Sequence, residues 1–416
     1  MDRSQIVNLA AGPSGLPLPV LLEASQGLLN FEGTGIGITE ISHRSPEFAK
    51  LTKDLAAILR QHLNIPETHE VLFTQGGGCG QFSAVVLNLL ARHRLRFPDL
   101  KDEDRVMDYV VTGSWSEKAA LEARRLGGGV VNIVTDGRSG SANGKNFDSI
   151  PPVDTWRLSE RPAFIYYCEN ETVDGVEFDG HSSTEQGATQ FPFHLIPPDP
   201  SDPTFLAPLV ADYSSSFLSR PIPQLERHAL IYAGAQKNIG PSGLTIIIVR
   251  KDLLVDTVAA AKLGAAPVPT TFDYAVLAKA GSLYHTPPMF SMYVSLLVLR
   301  HFATLGGVPY LAKVNAQKAK KVYAAVKEGE AAGVFRPRVK DGSQSFMNVV
   351  FEVLGEGAEA RFLASAQSAG LRGVKGHRSV GGIRTSLYNA VTLEQVDLLV
   401  EFLRGFIKAE AGSQSA

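Results

Sequence analysis

Apolar residues in this chain come in short dense runs separated by glycine-rich and polar turns. Val71-Leu72-Phe73-Thr74, Tyr109-Val110-Val111, Val130–Val134, Ala163–Tyr167, Leu209–Ala211, Leu230–Ala233 and Leu244–Val249 are too short for helices and rich in β-branched and aromatic residues. They predict strands. Between them lie segments with helical spacing. In Pro46–Leu63 the residues Phe48, Leu51, Leu55, Ile58, Leu59 and Leu63 share one stripe, with Lys50, Lys53, Asp54 and Arg60 elsewhere, which predicts a helix packed on a core. Further helices are expected from Gln81 onward and over Ser116–Leu126 and Asp252–Ala261. Strands alternating with helices imply an α/β fold with a mostly parallel sheet. Beyond Tyr293 long helical stretches take over, at Ser295–Leu305 and Val308–Ala332. A strand at Met347–Val353, a helix near Ala358–Ala369, a strand near Gly382–Leu387 and a helix over Leu393–Ile407 follow, the pattern of a smaller α+β unit. Asp179–Pro208 lacks periodicity and reads as a long surface loop, and the small polar tail Ala411–Ala416 reads as disordered.

Composition narrows the function classes. With 416 residues, 44% hydrophobic and 20% charged, the chain has enough apolar surface for two domains. Forty Lys+Arg against 42 Asp+Glu leave no global field to recruit nucleic acid or an anionic membrane, so any anion site must be local. Cys79 and Cys168 are the two cysteines, too few for a zinc motif or a disulfide framework, and no metal site is expected. No run approaches the roughly 20 apolar residues of a membrane helix. The opening Met1-Asp2-Arg3-Ser4-Gln5 begins no apolar signal core. A reducing, cytoplasmic setting is the expectation.

Chemistry concentrates at a few places. In Tyr232-Ala-Gly-Ala-Gln236-Lys237-Asn238-Ile-Gly240-Pro241, a lysine stands between a strand and a Gly/Pro turn, with no other charge from Ala229 to Val249. A lysine desolvated there is a good nucleophile toward a carbonyl carbon; in a wetter setting it is an ordinary loop lysine. Asp212 ends the strand that begins at Leu209, and a buried carboxylate needs a cationic partner. A protonated pyridine ring would serve, whereas an Asp standing alone would cap the next turn. Gln75-Gly76-Gly77-Gly78-Cys79-Gly80 before a helix offers open backbone N–H groups for a phosphate, without the Lys-Ser/Thr of a nucleotide loop. The cations His43-Arg44 and Lys375, His377, Arg378 and Arg384 suggest a doubly anionic substrate, with ordinary surface charge as the bland alternative. Trp115 could stack on a flat heterocycle and Thr172 could donate to a ring hydroxyl, although singly each also fits a core aromatic or a turn residue.

Taken in order, Ala11-Gly-Pro, Glu40-Ile-Ser-His-Arg-Ser, Gln75-Gly-Gly-Gly, Thr112-Gly-Ser-Trp-Ser, Glu169-Asn-Glu-Thr, Ala211-Asp, Gly234-Ala-Gln-Lys-Asn-Ile-Gly, Thr286-Pro-Pro and Lys375-Gly-His-Arg-Ser-Val-Gly-Gly-Ile-Arg span nearly the whole chain. Together they resemble the phosphoserine aminotransferase family, class V aminotransferases of fold type I that use pyridoxal 5′-phosphate (PLP). The resemblance implies a large domain over residues 18–292 with a seven-stranded sheet, and a small domain made of 1–17 and 293–416. It implies amino transfer from L-glutamate to 3-phosphooxypyruvate. Lys237 would hold the cofactor and then move a proton, Asp212 would pair with the ring nitrogen, and Trp115 would stack on the ring. Thr172 would lie near its polar edge, with Gly78, Cys79 and Gln236 at its phosphate. Arg384 would take the substrate α-carboxylate, and His43, Arg44, His377 and Arg378 the phosphate or the glutamate side chain. It further implies a homodimer in which a short pair from the partner reaches the cofactor phosphate. That pair is Asn-Thr in the family and His285-Thr286 here. Two other positions depart from the family: Cys79 stands where many bacterial members carry Arg, and Phe346 replaces a basic residue. Rival readings are another class V enzyme of the alanine-glyoxylate type, or a non-catalytic PLP-binding protein on the same scaffold.

Overall fold

A computed structural model describes residues 2–182, 187–199 and 202–414. Seven strands, β1 (His69–Thr74), β2 (Val106–Val111), β3 (Val130–Asp136), β4 (Pro162–Cys168), β5 (Leu209–Asp212), β6 (His228–Gly234) and β7 (Thr245–Arg250), form one sheet in the order β1-β7-β6-β5-β4-β2-β3. β7 runs antiparallel to both its neighbours, and the other pairs are parallel. All strands but β7 therefore point the same way, and their C-terminal ends share one edge.

The sheet is buried on both faces, and the two-residue period sorts its side chains. Phe73, Ile246 and Ile248 face a core that includes Phe48, Leu51, Leu55 and Leu59 of α2 (Pro46–Leu63) and Met292, Leu296 and Leu299 of α7 (Met289–Thr304). Their neighbours Leu72, Ile247 and Val249 face the opposite core, with Val85 and Leu89 of α3 (Gly77–Arg96), Ala119, Ala120 and Ala123 of α4 (Ser114–Leu126), and Tyr274 and Leu277 of α6 (Tyr274–Lys279). Helices cover both faces of every strand but the edge strand β3, which is largely half-buried, and this is why the inner strands read as continuous apolar runs rather than alternating ones. α2 starts where the sequence places it because Ser45 accepts a hydrogen bond from the Phe48 amide, ahead of Pro46 in the first turn.

A third core gathers Val7 and Leu9 with residues from α8 (Gly307–Ala331), α9 (Ala358–Ser368), α10 (Leu393–Gln414) and the antiparallel strands β8 (Phe335–Pro337), β9 (Asn348–Val353) and β10 (Ile383–Ser386). The N-terminal Val7–Asn8 pairs in parallel with Leu371–Arg372. Among the described residues no single helix is long and apolar enough to cross a membrane.

Several boundaries differ from expectation, and α7 begins at Met289 rather than Ser295. α3 begins at Gly77 rather than Gln81, so Gly78 and Cys79 lie in its first turn. The helix expected over Asp252–Ala261 is confined to α5 (Thr257–Lys262), because Asp256 accepts from the Ala259 amide and caps it there. Within Asp179–Pro208, Pro198–Asp199 and Asp202–Leu206 form an antiparallel pair whose exposed residues Pro203, Thr204 and Phe205 leave no alternation in the sequence. The expected tail Ala411–Ala416 is helical through Gln414, continuing α10, and its last two residues lie outside the described ones. Leu55 of α2 is fully buried against the sheet. Leu55→Ala should therefore destabilise the protein by about 2–5 kcal/mol, seen as an earlier urea unfolding midpoint without loss of secondary structure in the folded state.

Candidate active site

Because the parallel strands end on one edge, the turns that follow them are brought together. β6 leads to Lys237, β5 ends on Asp212, β4 leads into Glu169–Thr172, β2 leads to Trp115, and β1 leads to the glycine turn and α3. Lys237 points inward and its amine donates to Thr172 Oγ1 at 2.7 Å. The same amine lies 5.8 Å from the centre of the Trp115 ring. Arg384 on β10 donates to the Thr172 carbonyl at 3.0 Å. Thr172 thus ties the lysine from the sheet to the arginine from the third core.

Asp212 is buried, and its Oδ1 accepts from the Ser214 amide at 2.8 Å. Its Oδ2 faces the start of α3, where a Cβ added at Gly78 would stand 3.4 Å away. Glycine there keeps open the space between helix start and carboxylate. Burial lowers the pKa of the Lys237 amine, and Arg384 lowers it further, while the Asp212 carboxylate opposes them. Burial likewise drives the Cys168 thiol well up, so it stays protonated beside the amine. The Lys237 backbone is tied down as well: the Ser14 hydroxyl donates to its carbonyl, and the Ser14 amide donates to the Gln236 carbonyl at 2.9 Å.

His377 and Arg384 stand close enough to influence each other. Burial lowers the His377 pKa first, and Arg384, Lys118 and Arg378 add to it. Arg378 and Arg44 are exposed. His43 is placed differently: its Nδ1 lies 3.4 Å from Thr286 Oγ1, and the Thr286 carbonyl accepts from Gln75 at 3.2 Å. His43, Thr286 and its neighbour His285 thus form a second cluster beside the glycine turn.

The residues fit a planar, anionic cofactor. Trp115 Nε1 and Arg384 Nε are buried without a hydrogen-bond partner among the described residues, as are His43 Nε2 and His285 Nδ1. Orphaned donors of this kind mark a place built for another group. Sequence reasoning missed two contributors. Lys118 sits 4.2 Å over the Trp115 ring, and its position three residues along a predicted helix was the available signal. Glu171 accepts from the Trp115 and Ser116 amides at 2.8 and 2.9 Å; it lay inside a quoted motif but had been given no part.

The family model for aminotransferase class-V matches residues 6–186 and 206–399. The chain belongs to the class V aminotransferases. It is 41% identical to a phosphoserine aminotransferase of Shewanella denitrificans over 97% of this chain and 98% of that one. To the phosphoserine aminotransferase of Drosophila melanogaster it is 40% identical, over 97% and 99%. A solved, PLP-bound phosphoserine aminotransferase from Trichomonas vaginalis superposes with a TM-score of 0.79 at 34% identity, covering 96% of this chain and 99% of that one.

The depressed Lys237 pKa has a signed consequence. Its neutral, nucleophilic form should appear at lower pH than that of a lysine in a short unstructured peptide. Reductive methylation of the apoprotein, followed across pH by peptide mapping, should place the midpoint for Lys237 below that of such a peptide. Asp212→Asn removes a group that raises the pKa and should move the Lys237 midpoint lower still; a midpoint at or above the peptide's would contradict the burial.

Proposed function

We propose that this chain is a phosphoserine aminotransferase, exchanging the amino group between L-glutamate and 3-phosphooxypyruvate to give O-phospho-L-serine and 2-oxoglutarate in L-serine biosynthesis. Its cofactor is pyridoxal 5′-phosphate, as in the PLP-bound relative. The observation that carries the reading is the inward Lys237 amine, bonded to Thr172 and influenced by the Asp212 carboxylate, at the shared ends of the parallel strands. When bound, the cofactor supplies an aldehyde carbon for the lysine and a ring that takes up electron density from the substrate Cα.

This chain's own residues do the rest. Lys237 Nζ holds the cofactor and, once released by substrate, takes and returns a proton as general acid and base. Thr172 Oγ1 fixes the direction of that amine. Asp212 favours a positively charged ring nitrogen, and Trp115 offers a flat wall on one side of the ring. The Gly78 and Cys79 amides in the first turn of α3, with Gln236, offer donors to the phosphate at the positive end of the helix dipole. Arg384 takes the substrate α-carboxylate. His43, Arg44, His377 and Arg378 take the phosphate of phosphoserine or the side-chain carboxylate of glutamate, so one site serves both half-reactions.

The same reading makes the enzyme a cytoplasmic homodimer with its active sites at the subunit interface, each receiving the partner's His285-Thr286 pair at the cofactor phosphate. Leu22 and Leu29 of α1 (Leu18–Leu29) support this, being 58% and 81% exposed, with Ile36 just beyond them at 43%. An apolar face of this kind is suited to a second subunit. Free Cys79 and Cys168 suit a reducing compartment. The proposed division into a large domain, 18–292, and a small one, 1–17 with 293–416, is supported at its N-terminal end by the shared core of Val7 and Leu9 with α8–α10, whereas α7, which the 292/293 boundary cuts, packs Met292, Leu296 and Leu299 into the sheet core.

The test is turnover. Purified protein with PLP, L-glutamate and 3-phosphooxypyruvate should form O-phospho-L-serine, and Lys237→Ala should lower multiple turnover by about 10³-fold or more. Faster use of glyoxylate or pyruvate would favour the alanine-glyoxylate type. Unchanged cofactor absorbance on adding glutamate would point to a non-catalytic PLP-binding protein.

A further inference from the structure

Two carboxylates without a part in the chemistry above stand directly behind the site. Glu171 is fully buried and Asp174 nearly so. Glu171 Oε2 accepts from the Trp115 amide at 2.8 Å, its Oε1 accepts from the Ser116 amide at 2.9 Å, and Asp174 Oδ2 accepts from the Ser114 amide at 2.7 Å. Those amides are the first three of α4, which have no partner inside the helix. Burial pushes both acids toward the neutral form, Glu171 up to about 8 with Asp174 adding to the effect, while the hydrogen bonds from these amides and the positive end of the helix pull the other way. Between the two acids in sequence lies Thr172, whose hydroxyl receives the Lys237 amine and whose carbonyl receives Arg384. Gly113 makes the approach possible: a Cβ there would stand 2.3 Å from Glu171 Cγ. Its φ of −175° is extended backbone open to any residue, so the requirement at this position is space.

We propose that Glu171 and Asp174 are positioning residues, which couple Trp115 on one side of the site to Lys237 and Arg384 on the other through the single turn 171–174. The wall for the ring, the lysine amine and the carboxylate-binding arginine then keep a fixed register. The functional meaning of that register rests on the aminotransferase reading, whereas the coupling itself belongs to the chain without cofactor.

Trp115 and Trp156 are the two tryptophans, and Trp156 packs elsewhere, against Phe178 and Phe191. A Trp156→Phe parent therefore reports on Trp115 alone. In that parent, Glu171→Gln offers one acceptor oxygen to two waiting amides and turns an amino group toward a donor. Gly113→Ala displaces the Glu171 side chain from the opposite direction. Both should increase acrylamide quenching of Trp115 in the apoprotein and weaken PLP binding about tenfold, the loss expected for one strong hydrogen bond. They should also lower kcat more than they raise KM for 3-phosphooxypyruvate. Asp174→Asn keeps a carbonyl for its single amide and should behave as the parent, while Asp174→Ala should follow Glu171→Gln. A lower Tm with parental quenching and parental PLP affinity in both Glu171→Gln and Gly113→Ala would reduce the pair to a plain helix cap and overturn the proposal. Quenching is read without cofactor or substrate, so a parent lacking transaminase activity would sink the functional reading separately.

Discussion

The Lys237 amine is held out of bulk water with Thr172 Oγ1 as its hydrogen-bond acceptor, and burial works against its charge while Asp212 works for it. That balance sets what the surrounding fold must provide. Too much water would leave the amine protonated and poorly nucleophilic; a fully apolar pocket would give it no direction. Hence the lysine follows β6, its counter-charge ends the neighbouring β5, and its acceptor follows β4, all on one edge. A parallel arrangement does this at little cost, because adjacent strands deliver their following turns to the same place.

Much of this was legible from the chain alone, for physical reasons that differ by element. The inner strands were readable because both faces are buried, which forces dense apolar runs such as Leu244–Val249. Lys237 and Asp212 stood out because charge is rare inside such runs. The start of α3 was misread because glycines lower helix propensity, while Gly76, at φ 97°, turns the chain directly into a helix at Gly77. The pair Pro198–Asp199 with Asp202–Leu206 was missed because Pro203, Thr204 and Phe205 are all exposed and leave no alternation to see. Small polar residues at 411–414 looked like a frayed tail, yet they continue a helix anchored upstream by Leu399 and Leu403. Which cations converge was beyond sequence reasoning altogether. His43 and His377 look equivalent as His-Arg pairs, but one sits by Thr286 and the other by Arg384.

Burial also explains a second group of charges at the base of the site. Arg220 pairs with Glu169, and with Glu177 at 3.4 Å, and both acids are buried. Removing two carboxylates from water pushes Glu169 up to about 8 against the pull of Arg220. Ser216 also donates to Glu169, the Phe346 amide donates to Glu177 at 2.7 Å, and Arg220 pairs with Asp179 at 2.9 Å and donates to the Phe178 carbonyl. A densely bonded buried network of this kind is costly to break at any one member, even with Arg220 Nε lacking a partner among the described residues. It fastens β4, the segment after β5 and the approach to β9 into one body, so the chain entering and leaving the site cannot shift independently.

The cationic rim follows from the same electrostatics. His377 is disfavoured as a cation by burial and by Arg384, Lys118 and Arg378. Its Nδ1 receives the Ser379 amide at 3.3 Å and lies 2.6 Å from the Ser379 hydroxyl. A nitrogen that accepts from an amide carries no proton itself, so the neutral ring bears its hydrogen on Nε2. The rim therefore has its fixed charge on Arg378, Arg384 and Lys118, with a neutral imidazole beside them. A fourth permanent cation beside Arg378, Arg384 and Lys118 would add to their mutual repulsion, which a neutral imidazole avoids.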